Sequence, residues 1–213
     1  SHDASFAFWS DNTINLVCIL FMLISGMSFS LHFLVWKKRS PLLYLQDPEA
    51  RAWLFVLASG VLVVFAVLML NAMYDSTSET FLYALFNVVS IASTTGFAST
   101  DSHWPVTASV IMLCLAAFST CSGSVGGGIK MLRALILTKQ LSRGFLQTLH
   151  PKAVIPLRIN RVTIPDPIVF MVLNFIVLWV AALLTASVLL VASGLDVASA
   201  FSAVFACLTN TGP

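Results

Sequence analysis

The sequence predicts an all-α, polytopic membrane protein in which full spans alternate with short re-entrant helices. Three observations predict it. The 213 residues are 58% apolar and only 9% charged, where a water-soluble domain carries about 25% charge, so too little polar material remains to coat a surface in water. Stretches long enough to cross about 30 Å of hydrocarbon, at about 1.5 Å of helical rise per residue, recur along the chain. Every Lys and Arg falls in just two of the connections between those stretches.

The spans are expected at residues 14–36, at 53–73, from 106 onward, and at 168–191. The chain opens Ser1-His2-Asp3-Ala4, without a basic leader, so no removable signal peptide is expected. Lys37, Lys38, Arg39 and Arg51 lie between the first two spans. Lys130, Arg133, Lys139, Arg143, Lys152, Arg158 and Arg161 lie between the last two. The remaining connections hold Asp3, Asp11, Asp75, Glu79, Asp101 and Asp196, and no base. The excess of Lys and Arg on the inner side of a membrane then places residues 37–52 and 130–166 in the cytoplasm. An outer face with only acidic charge also raises the local concentration of cations.

Between the second and third spans the chain must leave and return on the outer side. Residues 80–92 are strongly apolar but too short to span, as a re-entrant segment would be. They lead into the polar run Ser93-Thr94-Thr95-Gly96. Residues 197–208 lead likewise into Thr209-Asn210-Thr211-Gly212. Setting Gly96 on Gly212 also sets Thr95 on Thr211, Val88 on Val204 and Ala84 on Ala200, an internal repeat. Non-helical backbone at membrane depth survives only inside protein or beside a water-filled cavity. These turns are therefore expected to face a pore, where their carbonyls replace the water shell of a cation and the negative end of each short helix favours it.

The third span breaks after residue 118 into Ser119-Thr120-Cys121-Ser122-Gly123-Ser124-Val125-Gly126-Gly127-Gly128. Four glycines in ten residues cannot hold a straight helix. By helical rise this run lies about 20–27 Å below the start of the span. It reads as a flexible loop under the pore, with Lys130 placed to repel a cation when the loop is closed. A phosphate-binding loop is the competing reading. Gly123 and Gly128 have its spacing, but Ile129 intervenes before Lys130, Met131 replaces the hydroxyl, and no strand precedes it. An enzyme would also need catalytic carboxylates nearby, and none is expected within the membrane close to the loop, so no enzymatic activity is predicted.

The four cysteines and four histidines are scattered, which argues against a metal cluster. Ser25, Ser28, His32, Asn87 and Asn174 are expected to form hydrogen bonds in helix packing. A secondary cation transporter with broken helices is the alternative within transport. Both dips enter from one side in a parallel repeat, and no intramembrane acid suits ion coupling, which disfavours it.

Ser93-Thr94-Thr95-Gly96-Phe97, the run Cys121 to Lys130, and Asn210-Thr211-Gly212-Pro213 resemble the bacterial Trk-type potassium uptake family. The stretches Tyr44 to Arg51 and His150 to Val154 look like the same family. The resemblance implies a potassium-channel-like pore of four span–dip–span repeats. Residues 1–52 would then hold the last helix of one repeat and a cytoplasmic loop. Residues 53–150 would be a complete repeat, and 151–213 the start of the next, ending within its filter, so the chain is expected to be a fragment with two of four filter turns. It further implies Gly96 and Gly212 as filter glycines, with Ser93 and Thr209 beside them, and Thr94, Thr95, Asn210 and Thr211 as carbonyl ligands of the ion. Ser119, Gly123, Gly126, Gly127, Gly128 and Lys130 would belong to an intramembrane gate. The implied cargo is K+, with no organic cofactor and no nucleic-acid partner. The implied setting is the bilayer of the bacterial inner membrane, as a homodimer joined by a cytosolic nucleotide-binding regulatory subunit.

Overall fold

The computed structural model describes residues 5–9, 11–100, 104–118, 120–160 and 162–212. After a short 3-10 turn (Ser5–Phe8), the helices are α1 (Asn12–Gly26), α2 (Phe29–Lys38), α3 (Leu43–Gln46), α4 (Pro48–Leu70), α5 (Thr77–Ala92), α6 (Val106–Ala117), α7 (Met131–Leu149), α8 (Asp166–Ala192) and α9 (Val197–Thr209). A small hairpin, β1 (Arg158–Ile159) and β2 (Val162–Thr163), pairs Ile159 with Val162. Strands this short give no periodic signal, and the sequence reading did not anticipate them.

Among the described residues, two helices are each long and apolar enough to cross a membrane: α4, of 23 residues, and α8, of 27. Helix α4 starts where it does because the Asp47 carboxylate accepts from the Ala50 amide at 2.8 Å and Pro48 presets the first turn. Along α8, Val177, Leu178, Leu184 and Val188 stay more than half exposed. A helix so apolar yet so open has hydrocarbon or further protein as its partner rather than water.

The first segment departs from the single span expected at 14–36. Helices α1 and α2 meet at 96° across Met27 and Ser28. Gly26 lies against the indole of buried Trp53, where a Cβ would come within 2.7 Å of the ring. The backbone groups freed by the break find partners elsewhere, as a break at membrane depth requires. The Gly26 carbonyl accepts from the Cys121 amide at 3.0 Å, and the Phe29 amide donates to the Gly123 carbonyl at 3.3 Å. His32 closes the inside of the bend: its Nε2 donates to the Ile24 carbonyl at 2.8 Å, and its Nδ1 accepts from the Tyr44 hydroxyl at 2.7 Å.

Helix α5 sits at the centre, packed by α1, α4 and α6. Its residues Ala84, Phe86, Val88, Val89 and Ser90 are fully buried, and the first four join Trp53, Val64 and Leu68 in the main apolar core. Apolar or small side chains on every side allow this, since a helix apolar all round needs neighbours all round. Helix α9 folds back on α8 as α5 does on α4, and α6 lies between the two pairs. Helix α7 packs on α4 and α8. Arg133 stacks 3.9 Å over the Phe175 ring, and Arg143 pairs with Asp166 at 2.7 Å.

Candidate ion-conduction site

The two polar turns after α5 and α9 share two backbone bonds, and the first adds a 3.4 Å bond from the Gly96 amide to the Ser90 carbonyl. In the first, the Thr94 amide donates to the Ile91 carbonyl at 3.0 Å and the Thr95 amide to the Ser90 carbonyl at 2.8 Å. In the second, the Asn210 amide donates to Cys207 at 3.1 Å and the Thr211 amide to Ala206 at 3.0 Å. The hydroxyls match too: Ser93 and Thr95 share a 2.8 Å bond, and so do Thr209 and Thr211. Thr94 and Asn210 have φ of 55° and 58°, and Gly96 and Gly212 have 77° and 81°. Each turn therefore carries two left-handed residues around one that is not. A β-branched threonine in that region costs on the order of 1–3 kcal/mol and persists only where its surroundings impose it.

The turns also touch. A Cβ on Gly96 would lie 1.9 Å from the Thr211 carbonyl oxygen. Ser93, Thr209 and Thr211 are buried, Thr94, Thr95 and Gly96 are half-buried, and Asn210 and Gly212 are exposed. A cavity of about 670 Å³ opens behind the turns between α5, α6 and α9, bordered by Asn87, Met112, Ser202 and Ala206.

The glycine-rich loop between α6 and α7 presses on both turns. A Cβ on Gly126 would come within 2.7 Å of the Thr94 hydroxyl, and one on Gly127 within 2.6 Å of the Thr209 carbonyl oxygen. No side chain fits at either contact. Gly123 and Gly128 have φ of 81° and 75°, which only glycine adopts freely. Lys130 does not point along an open axis; its ammonium donates to the Ser124 carbonyl at 3.0 Å. Ser119, expected in the same loop, lies outside the described residues.

A family model described as "TrkH: Cation transport protein" matches residues 1–213. The chain belongs to the TrkH family. It is 39% identical to the Trk system potassium uptake protein TrkH of Halomonas elongata and 37% identical to that of Escherichia coli K12, in each case over all of this chain and 44% of the relative. The fold matches the crystal structure of the potassium transporter TrkH from Vibrio parahaemolyticus with a TM-score of 0.94 and 37% identity, over all of this chain and 46% of that one. The chain thus spans rather less than half the length of these TrkH relatives.

Two contributors to the site were not foreseen. Asn87 is a buried brace for the first turn rather than only a helix-packing group. Its amide nitrogen donates to the Tyr83 carbonyl at 2.9 Å and to the Ser99 hydroxyl at 3.0 Å, while its oxygen accepts from the Ser99 amide at 3.4 Å. Ser90 adds a bond from its hydroxyl to the Phe97 carbonyl at 2.7 Å. The matching positions of the second turn are Ala203 and Ala206, which offer no such support. Asn87→Ala in a full-length TrkH carrying this chain is expected to lower stability by about 1–3 kcal/mol, read as a fall in melting temperature in detergent, and to weaken potassium-over-sodium preference.

The second is Glu49. The expectation that no carboxylate lies near the glycine loop is overturned, because the Glu49 Oε1 accepts from the Ser122 amide and, at 3.0 Å, from the Leu132 amide. Its position in the basic connection before α4 had hidden it. That oxygen is held by two amides, and the Lys130 ammonium is turned onto a carbonyl of the same loop.

Proposed function

We propose that the full-length protein to which this chain belongs takes up K+ across the bacterial inner membrane. In this reading the turns Ser93–Gly96 and Thr209–Gly212 are two of its filter turns, with carbonyls of Thr94, Thr95, Asn210 and Thr211 replacing the ion's hydration shell. The loop containing Gly123, Gly126, Gly127, Gly128 and Lys130 is the gate beneath them. Residues 53–150 form one span–dip–span repeat, 151–213 begin the next, and 1–52 close the one before. The basic connections 37–52 and 130–166 face the cytoplasm, where a nucleotide-binding regulatory subunit docks on a homodimer.

The observation that carries the reading is the shared geometry of the two turns, including the paired hydroxyls and the left-handed residues, together with their contact. Two helix ends that reproduce one strained backbone and meet at one place form a repeated device, and repeated carbonyl turns are how a pore dehydrates a monovalent cation. The potassium uptake named for the relatives agrees with it. Transport rather than catalysis follows, since the glycine loop is occupied by its own bonds.

The test is rubidium uptake into proteoliposomes holding the full-length protein, with potassium or sodium as competitor. Potassium should suppress uptake at far lower concentration than sodium. Equal competition by the two ions refutes the filter assignment, and no uptake above empty liposomes refutes transport.

A further inference from the structure

We infer that Glu49 is the clasp that holds the glycine loop against the two polar turns, a positioning residue for gating. The inference rests on the gate reading above. Glu49 lies in the first turn of α4, yet one of its oxygens binds the amides of both Ser122 and Leu132. Ser122 is near the start of the loop and Leu132 is in the first turn of α7, just past its end. A single carboxylate oxygen therefore grips both legs of the loop, while its apex, Gly126 and Gly127, touches Thr94 and Thr209.

The chemistry favours this grip. The residue preceding α7, Lys130, makes no side-chain cap. In the first turn the Met131 amide donates to the Thr120 carbonyl and the Arg133 amide to the Lys130 carbonyl, which leaves the Leu132 amide to find its acceptor elsewhere. Glu49 supplies an acceptor from a different helix and sets negative charge at the positive end of α7. Bonds from backbone amides to an ionised carboxylate are about twice as strong as neutral ones. The loop's other ties are bonds to neutral carbonyls: Cys121 to Gly26, Phe29 to Gly123, Ile129 to Ala117, Met131 to Thr120, and Lys130 back onto the loop itself. For the loop to leave the turns, the Ser122 amide must part from Glu49, or α7 must move away from α4 with Leu132. The clasp thus ties the position of the gate to the α4–α7 packing at the cytoplasmic side, next to the connection that ends at Asp47-Pro48.

The experiment uses the full-length protein in proteoliposomes without cytosolic partners and measures initial rubidium uptake and potassium-over-sodium preference. Four proteins are compared with the parent: Glu49→Ala, Glu49→Gln, a variant with the loop shortened by deletion of Val125 to Gly127, and that deletion combined with Glu49→Ala. Loss of a charged acceptor for two amides should raise uptake about tenfold in Glu49→Ala, and about threefold in Glu49→Gln, whose amide oxygen still accepts. Ion preference should stay at the parental value, and Glu49→Ala should add nothing once the loop is shortened. If the deletion raises uptake but neither Glu49 variant does, the clasp is wrong and the gate stands. If the deletion leaves uptake unchanged, the gate reading falls and the clasp falls with it. A rise in uptake from Glu49→Ala that persists in the shortened loop, or a lost ion preference, would mean general loosening and overturns the proposal. Should Glu49→Ala fail to insert, Glu49→Gln carries the same comparison with nearly unchanged shape.

Discussion

Gly96→Ser in the full-length protein will remove most of its preference for potassium over sodium. The added Cβ would sit 1.9 Å from the Thr211 carbonyl oxygen and 3.0 Å from its carbon. Both are backbone atoms, so no side-chain rotation relieves the overlap. The residue also has φ of 77°, where a side chain adds about 1–2 kcal/mol of backbone strain. Either the first turn retreats by more than an ångström or the Thr211 carbonyl swings away. Both outcomes change the oxygen cage on which discrimination between ions depends. A loss of selectivity of about tenfold or more is expected, since one misdirected carbonyl forfeits an interaction worth above 1.4 kcal/mol with a dehydrated ion. Competition of sodium against rubidium uptake measures it. Parental selectivity in Gly96→Ser would show that this turn does not form the filter.

Gly127→Ala should act on flux instead. Its Cβ would meet the Thr209 carbonyl oxygen at 2.6 Å and the Asn210 Cβ at 2.8 Å. The φ of Gly127 lies outside the left-handed region, so alanine brings collision alone. Which partner yields follows from how each is held. The second turn is tied by the Asn210 and Thr211 amides and by the Thr209 hydroxyl to Phe205 and Thr211. Gly127 itself is held by one long bond, from the Thr120 hydroxyl at 3.5 Å. The loop gives way first. Uptake without cytosolic partners should rise about fivefold, a shift of about 1 kcal/mol toward the open loop, with ion preference kept. A fall in uptake with altered preference would show that the turn yielded.

Much of this was legible in the residues for physical reasons. Lipid tolerates charge so poorly that eleven bases fall in connections between apolar stretches, and α4 and α8 follow from hydropathy alone. Gly96 and Gly212 were legible because hydroxyls and glycine after an apolar helix have few resting places in a membrane. The bend at Met27 was not, because hydropathy counts apolar side chains without regard to direction. Its cause, Gly26 against Trp53, is a contact between separate helices. Glu49 was hidden for a related reason. Charge counting assigned it to a solvated connection, whereas its partners lie 73 and 83 positions away. Asn87 could have been suspected from its repeat partner Ala203, since a polar residue in only one copy of a repeat marks a local task.

The bend between α1 and α2 has a consequence for synthesis. Its open amide and carbonyl are completed by Gly123 and Cys121, and Cys121 follows Gly26 by 95 residues. Until that later stretch emerges from the ribosome, a kinked early chain would leave those groups bare in hydrocarbon. The elbow is therefore expected to close only after residues 121–123 have been made and packed against it.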